Sequence, residues 1–514
     1  MTVPQYTLAA TADAYPDKPA VIDGETRDVV TYAELEHRSR RIAGLLAAIG
    51  LRAGDHVALL MDNDKRYLEI VWAAQRSGLY FTPVNCHLSA AEARYIVEDC
   101  DAKVLFATAS LRDLATSVPL SPTLRRRFSV GSPINGFEDL DAALATTPST
   151  FEDVEGSFML YSSGTTGRPK GILRPLSGER FGESTGLPPS MNEEFDGQNL
   201  VHLCSGPLYH AAPLTSSMLT HRLGGTVVQM RRFDPEQVLL LIEKYSVTRA
   251  QFVPTMFVRL LKLPPEVRAR YDVSSLQFVL HTGAPCSIDV KEQMIDWWGE
   301  KIWEVYAGSE GNGGCMVDSA TWLQHKGTVG RPNFGIVHIM SDEGRELPTG
   351  DVGTIYFSDA PSFAYHKDPD KTASSVDTRG WSTLGDLGFV DEDGFLYLSD
   401  RRTDLIISGG VNIYSQEVEN VLAMHPKVLD VAVIGIPDAE MGQAVKAVVQ
   451  PVDIADANQE FAEELISYCR ERIAHFKCPR SVDFDPELPR LPNGKMMKRI
   501  ILERYRSTAA DASN

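Results

Sequence analysis

From Thr31 onward the chain alternates helix starts with short apolar strands, and this alternation restricts its fold more than any other feature. TYAE (Thr31–Glu34) places a hydroxyl three residues before a glutamate, a capping box, and the apolar positions after it recur at helical spacing until Gly50. HVALLM (His56–Met61) reads as a strand, YLEIVWAAQRSG as a helix, and YFTPV as a strand ended by Pro83. SAAE (Ser89–Glu92) opens another capped helix, and Val104–Ala107 is again a strand. Helices threaded between apolar strands imply an α/β fold with a largely parallel sheet.

A chain of 514 residues is too long for one ordinary core, so two or more domains are expected. Leu200–Trp303 repeats the alternation, with FVPTMF and LQFVLHTGAP read as strands running into loops. Between Gly327 and Ser358 the pattern changes to short strands split by Gly and Pro (GTVGRP, GIVHIM, GTIYF), a β subdomain. After Arg402 comes a smaller α+β pattern: helix QEVENVLAM, strands VLDVAVIG and AVKAVVQP, a helix near Phe461–Ile473 and a final strand. A boundary falls at Asp400–Asp404. It separates a large domain (1–400) from a small one (405–514) through a connector at 401–404, and STAADASN reads as a disordered tail.

The net charge of −19 argues against a nucleic-acid partner. No apolar run reaches membrane-spanning length, and the N-terminus lacks a basic segment followed by an apolar one. The seven cysteines are scattered without a CxxC pair, as expected of a reduced, cytoplasmic protein.

The most chemically pointed stretch is YSSGTTGRPKG (Tyr161–Gly171). Gly164, Gly167 and Gly171 free the backbone to turn its N–H groups inward. Ser162, Ser163, Thr165 and Thr166 add hydroxyl donors, and Arg168 and Lys170 add positive charge. Phosphate suits such a loop. It is not a Walker A sequence, because Gly171 rather than Ser or Thr follows Lys170. Taken alone, the stretch fits a flexible surface loop equally well.

Five further motifs follow in order: PLYHAAP (Pro207–Pro213), YAGSE (Tyr306–Glu310), STLGDLG with Asp386, SDRRTDLIISGGVNIYSQEVE (Ser399–Glu419) and LPNGKMMKR (Leu491–Arg499). Together with the phosphate loop they resemble the acyl-adenylate-forming superfamily of acyl-CoA synthetases, luciferases and peptide-synthetase adenylation domains. GAPC, KEQMIDWWG and HKGTVGRP make the chain most similar to bacterial acyl-CoA synthetases.

The resemblance implies a large α/β domain with mostly parallel sheets plus a β subdomain, and a small mobile α+β domain. It implies ATP, Mg²⁺ and CoA as cofactor and substrates beside a small carboxylic acid. The chemistry would be adenylation of the acid followed by transfer of the acyl group to a thiol. Thr165, Thr166 and Lys170 would hold the β- and γ-phosphates, Ser309 the α-phosphate, and Glu310 the Mg²⁺. Tyr306 would stack on adenine, with Gly283 and Ala284 lining the base and Ala307 and Gly308 running beside the nucleotide. Asp386 and Arg401 would meet the ribose, and Gly409 and Gly410 would admit a pantetheine arm. Lys495, in a Pro-Asn-Gly turn, would bridge the attacking carboxylate and the α-phosphate. His210 would steer the acyl carboxylate, gate its pocket, or serve as a core histidine; His281, read as part of a loop, would face the substrate.

The small domain would rotate about Thr403, where the family commonly has Asp or Lys. An acyl pocket is expected between His210 and Tyr306, with Phe252, Met256, Phe257, Trp297 and Trp298 supplying apolar bulk and some of them serving as core. No buried cation marks a second carboxylate, so a hydrophobic monocarboxylate is expected. The rival readings are a stand-alone enzyme loading a carrier-protein thiol, a non-catalytic acyl-nucleotide binder and a luciferase-type oxidase. A homodimer is compatible with all of them.

Overall fold

The computed structural model describes residues 7–146, 150–162, 169–183, 199–401, 404–409, 411–438, 441–490 and 496–511. The two capping boxes form as read. Thr31 and Glu34 exchange hydrogen bonds at the start of helix Tyr32–Ala48, and Ser89 and Glu92 do so before Ala90–Asp99. Gly50 follows the first helix with φ +93°, the left-handed conformation that ends helices cheaply only at glycine.

Two sheets organise the larger part. Six parallel strands run in the order Glu138–Asp139, Arg126–Val130, Ala102–Thr108, His56–Leu60, Tyr80–Pro83, Ser157–Phe158. The second sheet has a parallel run of Pro19–Asp23, Thr226–Gln229, Val201–Cys204, Arg249–Phe252, Phe278–Thr282 and Ile302–Ala307. Helices Tyr32–Ala48 and Tyr67–Gln75 lie between the sheets. One apolar cluster joins Val57 and Phe81 of the first sheet to Val21 and Val227 of the second through Ile42, Leu46 and Trp72. Every residue of Tyr67–Gln75 is buried, as expected of a mostly apolar helix between two layers, with the Glu69 carboxylate paired to Arg38 and Arg66.

The β region read from Gly327–Ser358 is present and continues the second sheet edge to edge. Gly314–Val317, Thr328–Phe334, Leu396–Arg401, Ser382–Val390, Gly353–Ser358 and Ile336–Met340 add antiparallel strands to Ile302–Ala307. A third sheet of Leu160–Ser162, Lys170–Leu173 and Ala364–Tyr365 carries the ends of the phosphate-loop motif.

The C-terminal part is the expected α+β unit. A hairpin, Ile406–Ser408 with Val411–Ile413, precedes helix Ser415–Ala423. A three-stranded sheet (Val428–Asp438, Gly442–Pro451, Ser481–Phe484) packs with helix Gln459–Arg470 around Val418, Leu422, Val431 and Leu465.

Two expectations are corrected. The second half of FVPTMF is helix Pro254–Leu261, not strand: Val253 is extended, Pro254 takes the first helical turn, and Met256, Phe257 and Leu260 bury one face. The STAADASN tail does not start at Ser507, because helix Lys498–Asp511 continues through its first five residues. Once nucleated, a helix gains one hydrogen bond per added residue, and two alanines favour the extension. Among the described residues no helix is long and apolar enough to cross a membrane.

Candidate active site

Gly283, Ala284 and Tyr306 lie at the carboxyl ends of two neighbouring parallel strands, where open α/β sheets place their ligand crevices. Strands Phe278–Thr282 and Ile302–Ala307 are in register (His281 opposite Glu304, Thr282 opposite Val305), so the residues leaving one strand adjoin the end of the other. Thr282 Oγ1 donates to the Val305 carbonyl at 2.7 Å and ties the two ends. Gly283 and Ala284 follow the first strand, and Tyr306 is the last residue but one of the second. Gly283 has φ +88°, and among the described residues only Val253 would contact an added Cβ.

Tyr306 donates its phenol O–H to Asp386 Oδ2 at 2.8 Å. Asp386 is buried in strand Ser382–Val390, with Arg401 opposite it in backbone register. Beyond Ala307 the chain makes a tight turn, with Gly311 N–H donating to the Gly308 carbonyl at 3.0 Å. At Gly308 an added Cβ would press on the ends of the Leu384 and Glu310 side chains, standing 2.9 Å from Glu310 Oε2, so a larger residue would push this carboxylate aside. Ser309 and Glu310 occupy the middle of the turn. Tyr365 O–H donates to Glu310 Oε1 at 2.9 Å, and Arg174 Nη2 donates to the Ser309 carbonyl at 2.7 Å.

The two ends of the phosphate-loop motif form a strand pair, with Lys170 opposite Ser162 and Gly171 opposite Tyr161. Ser163, Gly164, Thr165, Thr166, Gly167 and Arg168 lie outside the described residues, as do Gly410, Thr403 and Lys495. Lys170 pairs with Asp368 Oδ2 at 2.5 Å, while the other carboxylate oxygen of Asp368 caps helix Pro369–Ser374. Strand Ala364–Tyr365 lies beside Lys170–Leu173 and so carries Tyr365 to Glu310 and Asp368 to Lys170.

His210 stands at the start of helix Ala211–Arg222, against the Tyr209 ring at 4.6 Å, with Nε2 shielded and lacking a hydrogen-bond partner. Burial, with His87 adding to it, holds its pKa down to about 3. The neutral ring can offer a hydrogen bond to an acyl carboxylate but no positive charge.

Other assignments are corrected. His281 lies within strand Phe278–Thr282, fully buried against Phe257 and 3.5 Å from Glu304 Oε2, which also binds Lys291 at 2.7 Å. Burial and the Lys291 charge push its pKa well below the usual value. It belongs to a core network beneath the site. Phe252, Met256, Phe257 and Trp298 are buried together in one core cluster, with Phe252 and Trp298 rings 5.6 Å apart. Trp297 packs beside them under the Arg268 guanidinium. These aromatics seal helices onto the sheet, which sequence composition alone does not separate from an acyl lining. Gly409, at the hairpin tip with φ +59°, faces Met441, whose Cε would stand 2.5 Å from an added Cβ.

Tyr365, Asp368 and Arg174 were missed from the sequence. Asp368 before Pro369 carries a cap signal, and Arg174 is a charge directly after an apolar strand; neither signal says what the side chain meets.

The sequence profile of AMP-binding enzymes matches residues 8–363, and that of the AMP-binding enzyme C-terminal domain matches residues 417–495. The chain belongs to the AMP-binding enzymes. This AMP-binding enzyme is 35% identical to a feruloyl-CoA synthase of an Amycolatopsis species, over 95% of this chain and 96% of the relative. It is 31% identical to a fatty acid–[acyl-carrier-protein] ligase of Streptomyces coeruleorubidus, over 99% and 97%. Its fold matches ATP-bound MatB from Rhodopseudomonas palustris with a TM-score of 0.78 at 27% identity, covering 98% of this chain and 99% of that one.

The family's Mg²⁺ can be tested against these residues. Among the described residues no group of three or more His, Cys, Asp or Glu is placed to hold a metal. Glu310 offers one carboxylate at the turn. That donor set fits a hard ion that keeps most of its shell as water and nucleotide phosphate.

Proposed function

We propose that this chain is an AMP-forming carboxylate–CoA ligase acting on a hydrophobic monocarboxylic acid: medium-chain, aryl or alicyclic. The observation that carries the reading is the Tyr306–Asp386 hydrogen bond beside the Glu310 turn. It supports a ring for adenine and a carboxylate for a ribose diol side by side, next to the turn that carries a carboxylate for a metal. The substrate range is supported by the feruloyl and fatty-acid relatives, one acting on an aryl acid and one on an aliphatic acid.

In the first half-reaction an oxygen of the acid attacks the α-phosphorus of ATP. The bond to pyrophosphate breaks, leaving acyl-AMP. Two anionic reactants meet, so positioning and charge neutralisation dominate catalysis. Thr165, Thr166 and Lys170 hold the β- and γ-phosphates; for Lys170 this means leaving Asp368 for the nucleotide. Ser309 meets the α-phosphate, and Glu310 would hold Mg²⁺, which when bound would supply charge neutralisation for the phosphates. Tyr306 stacks on adenine beside Gly283 and Ala284, with its O–H oriented by Asp386, and Ala307 and Gly308 flank the nucleotide. Asp386 and Arg401 take the ribose. His210, uncharged, orients the acid. In the second half-reaction the thiolate of CoA attacks the acyl carbonyl, AMP departs, and the thiol proton passes to solvent. Gly409 and Gly410 border the pantetheine path, which at Gly409 requires the Met441 side chain to move.

A screen of carboxylic acids for AMP release tests this reading. With the right acid, AMP release is expected to be much faster with CoA than without it. Release that ignores CoA but responds to a holo carrier protein would replace the reading with carrier loading, the activity named for the Streptomyces relative.

The domain limits proposed are 1–400 and 405–514. Strand Leu396–Arg401 is part of the large sheet, and the next strand, Ile406–Ser408, pairs within the small unit's hairpin. Thr403 is then the pivot between the two half-reactions. Thr403→Pro fixes φ near −65° and removes the N–H donor, favouring one domain arrangement. We expect adenylation retained near its normal rate and CoA transfer from supplied acyl-AMP depressed at least about tenfold, roughly 1.4 kcal/mol of barrier. Parallel changes in both would exclude Thr403 as the pivot.

A further inference from the structure

The geometry points to Arg174 as the positioning residue for Glu310, locking the turn that aims this carboxylate at the metal. The inference rests on the reading of Glu310 as the Mg²⁺ ligand.

Gly308–Gly311 is a β-turn with Ser309 and Glu310 at its centre. Such a turn has two forms that differ by a flip of its central peptide. In one, the third residue keeps a negative φ; in the other it needs a positive φ, which favours glycine. Glu310 is outside the set of positive-φ residues, so the turn is in the first form. The atom that moves most in a flip is the Ser309 carbonyl oxygen, and Arg174 Nη2 holds that atom at 2.7 Å.

Arg174 is held at its backbone, and its guanidinium lies against an aromatic ring. The backbone carbonyl of Arg174 accepts the Tyr80 O–H at 2.6 Å, and its Cζ lies 5.4 Å from the centre of the Phe158 ring. Gly311, with φ +66°, makes the room: a Cβ at that position would run into Nη2 and Cζ of Arg174. Glu310 is close enough for its charge to oppose the effect of burial on the guanidinium. Arg174 also follows directly on strand Lys170–Leu173, so one strand carries the phosphate-loop lysine at its start and the brace of the metal carboxylate at its end.

Two effects compete. Positive charge beside Glu310 weakens attraction for a cation, whereas holding the turn keeps the carboxylate aimed. The partly buried guanidinium keeps some repulsion for a cation, but the directed hydrogen bond to the peptide that defines the turn decides whether the carboxylate reaches the ion at all. Positioning therefore prevails, and removing Arg174 should weaken metal binding.

Mn²⁺ serves as the probe, through water-proton relaxation of the enzyme–ATP–Mn²⁺ complex, with ATP affinity measured separately without divalent ion. For Arg174→Met we expect metal-free ATP affinity within about twofold of the parent and Mn²⁺ affinity about tenfold weaker. Adding Arg174→Met to Glu310→Gln should cost no further Mn²⁺ affinity, because the brace has nothing left to aim. Gly311→Ala, which displaces the guanidinium without removing it, should weaken Mn²⁺ in the parent and do so far less in the Arg174→Met background. Tighter Mn²⁺ binding in Arg174→Met, equal loss with and without metal, or additive losses with Glu310→Gln would each overturn the assignment. Acid-dependent pyrophosphate exchange by the unaltered protein reports on the ligase reading itself. Its absence with every acid would remove that reading and leave the Mn²⁺ comparison interpretable.

Discussion

Lys495→Ala is expected to abolish acid-dependent ATP–pyrophosphate exchange by about three orders of magnitude while thioester formation from supplied acyl-AMP continues. The ammonium is proposed to bridge the attacking carboxylate and the α-phosphate. One such contact at roughly 4 Å and an effective dielectric near 20 is on the order of 4 kcal/mol before desolvation, or about a thousandfold in rate. The second half-reaction has a neutral acyl carbonyl and a thiolate, and needs no cation at that point. Lys495 lies outside the described residues, but its neighbour in the same motif provides an internal control. Lys498 is buried, donating to Ser415 Oγ at 2.6 Å and pairing with Glu419 Oε1 at 2.9 Å. Glu419 also accepts the Val433 N–H at 2.7 Å. Lys498→Ala would strand a buried carboxylate and lower the thermal midpoint, damaging both half-reactions together. Equal loss of both halves in Lys495→Ala, at an unchanged midpoint, would remove the proposed role.

Acid should unfold this protein well before its carboxylates are all protonated. His202 and His221 are fully buried, and burial lowers their pKa values to about 3 and about 4. Arg249 adds to the effect at His202, whose ring nitrogens both lack hydrogen-bond partners. At His221 the Trp72 indole N–H donates to Nδ1 at 3.0 Å, so Nε2 carries the hydrogen facing the Ala20 carbonyl at 2.9 Å. Protonating Nδ1 would set two N–H groups against each other.

In both cases the folded pKa lies below the unfolded value near 6.5. The unfolded chain therefore binds the extra protons between pH 6.5 and the folded pKa values. Stability is full above about pH 6.5 and falls as pH drops toward 3–4. Each histidine contributes about 1.4 kcal/mol per pH unit in that window, so the two cost about 4 kcal/mol at pH 5, a large part of a typical folding free energy. Burial raises the carboxyl pKa values of Glu69, Glu304 and Glu419, which acts in the opposite direction and flattens the curve. The specific test is therefore a difference. Urea unfolding of His202→Leu between pH 7.5 and 5 should show a pH slope smaller by about one proton. An unchanged slope would mean that His202 already takes up its proton in the folded state.

Much of the architecture could be read directly because its determinants are local. A capping box needs a hydroxyl and a glutamate three residues apart, and both TYAE and SAAE deliver it. Short apolar runs between helix starts imply parallel strands, and the ordered motifs locate Tyr306, Glu310 and Asp386, which the sheet does bring together. Where local cues failed, they were ambiguous at short range. Val253-Pro254 ends a strand and starts a helix with the same two residues, and an Ala-rich end can continue a helix or fray.

What the tertiary structure alone decided is which side chains meet across long sequence separations. Tyr365 reaches Glu310 and Asp368 reaches Lys170 only because Ala364–Tyr365 pairs with Lys170–Leu173, a register set between segments nearly two hundred residues apart. Phe252, Met256, Phe257 and Trp298 have the composition of a ligand pocket and the position of a core, and only the packing of helix Pro254–Leu261 against Ile288–Trp298 separates the two. Arg174 is a lone charge after a strand until Gly311, with no Cβ and φ +66°, leaves its guanidinium a place beside the Ser309 carbonyl. Spacing and propensity act over a few residues, whereas these contacts follow from strand register and close packing, which the chain settles only when the whole sheet has formed.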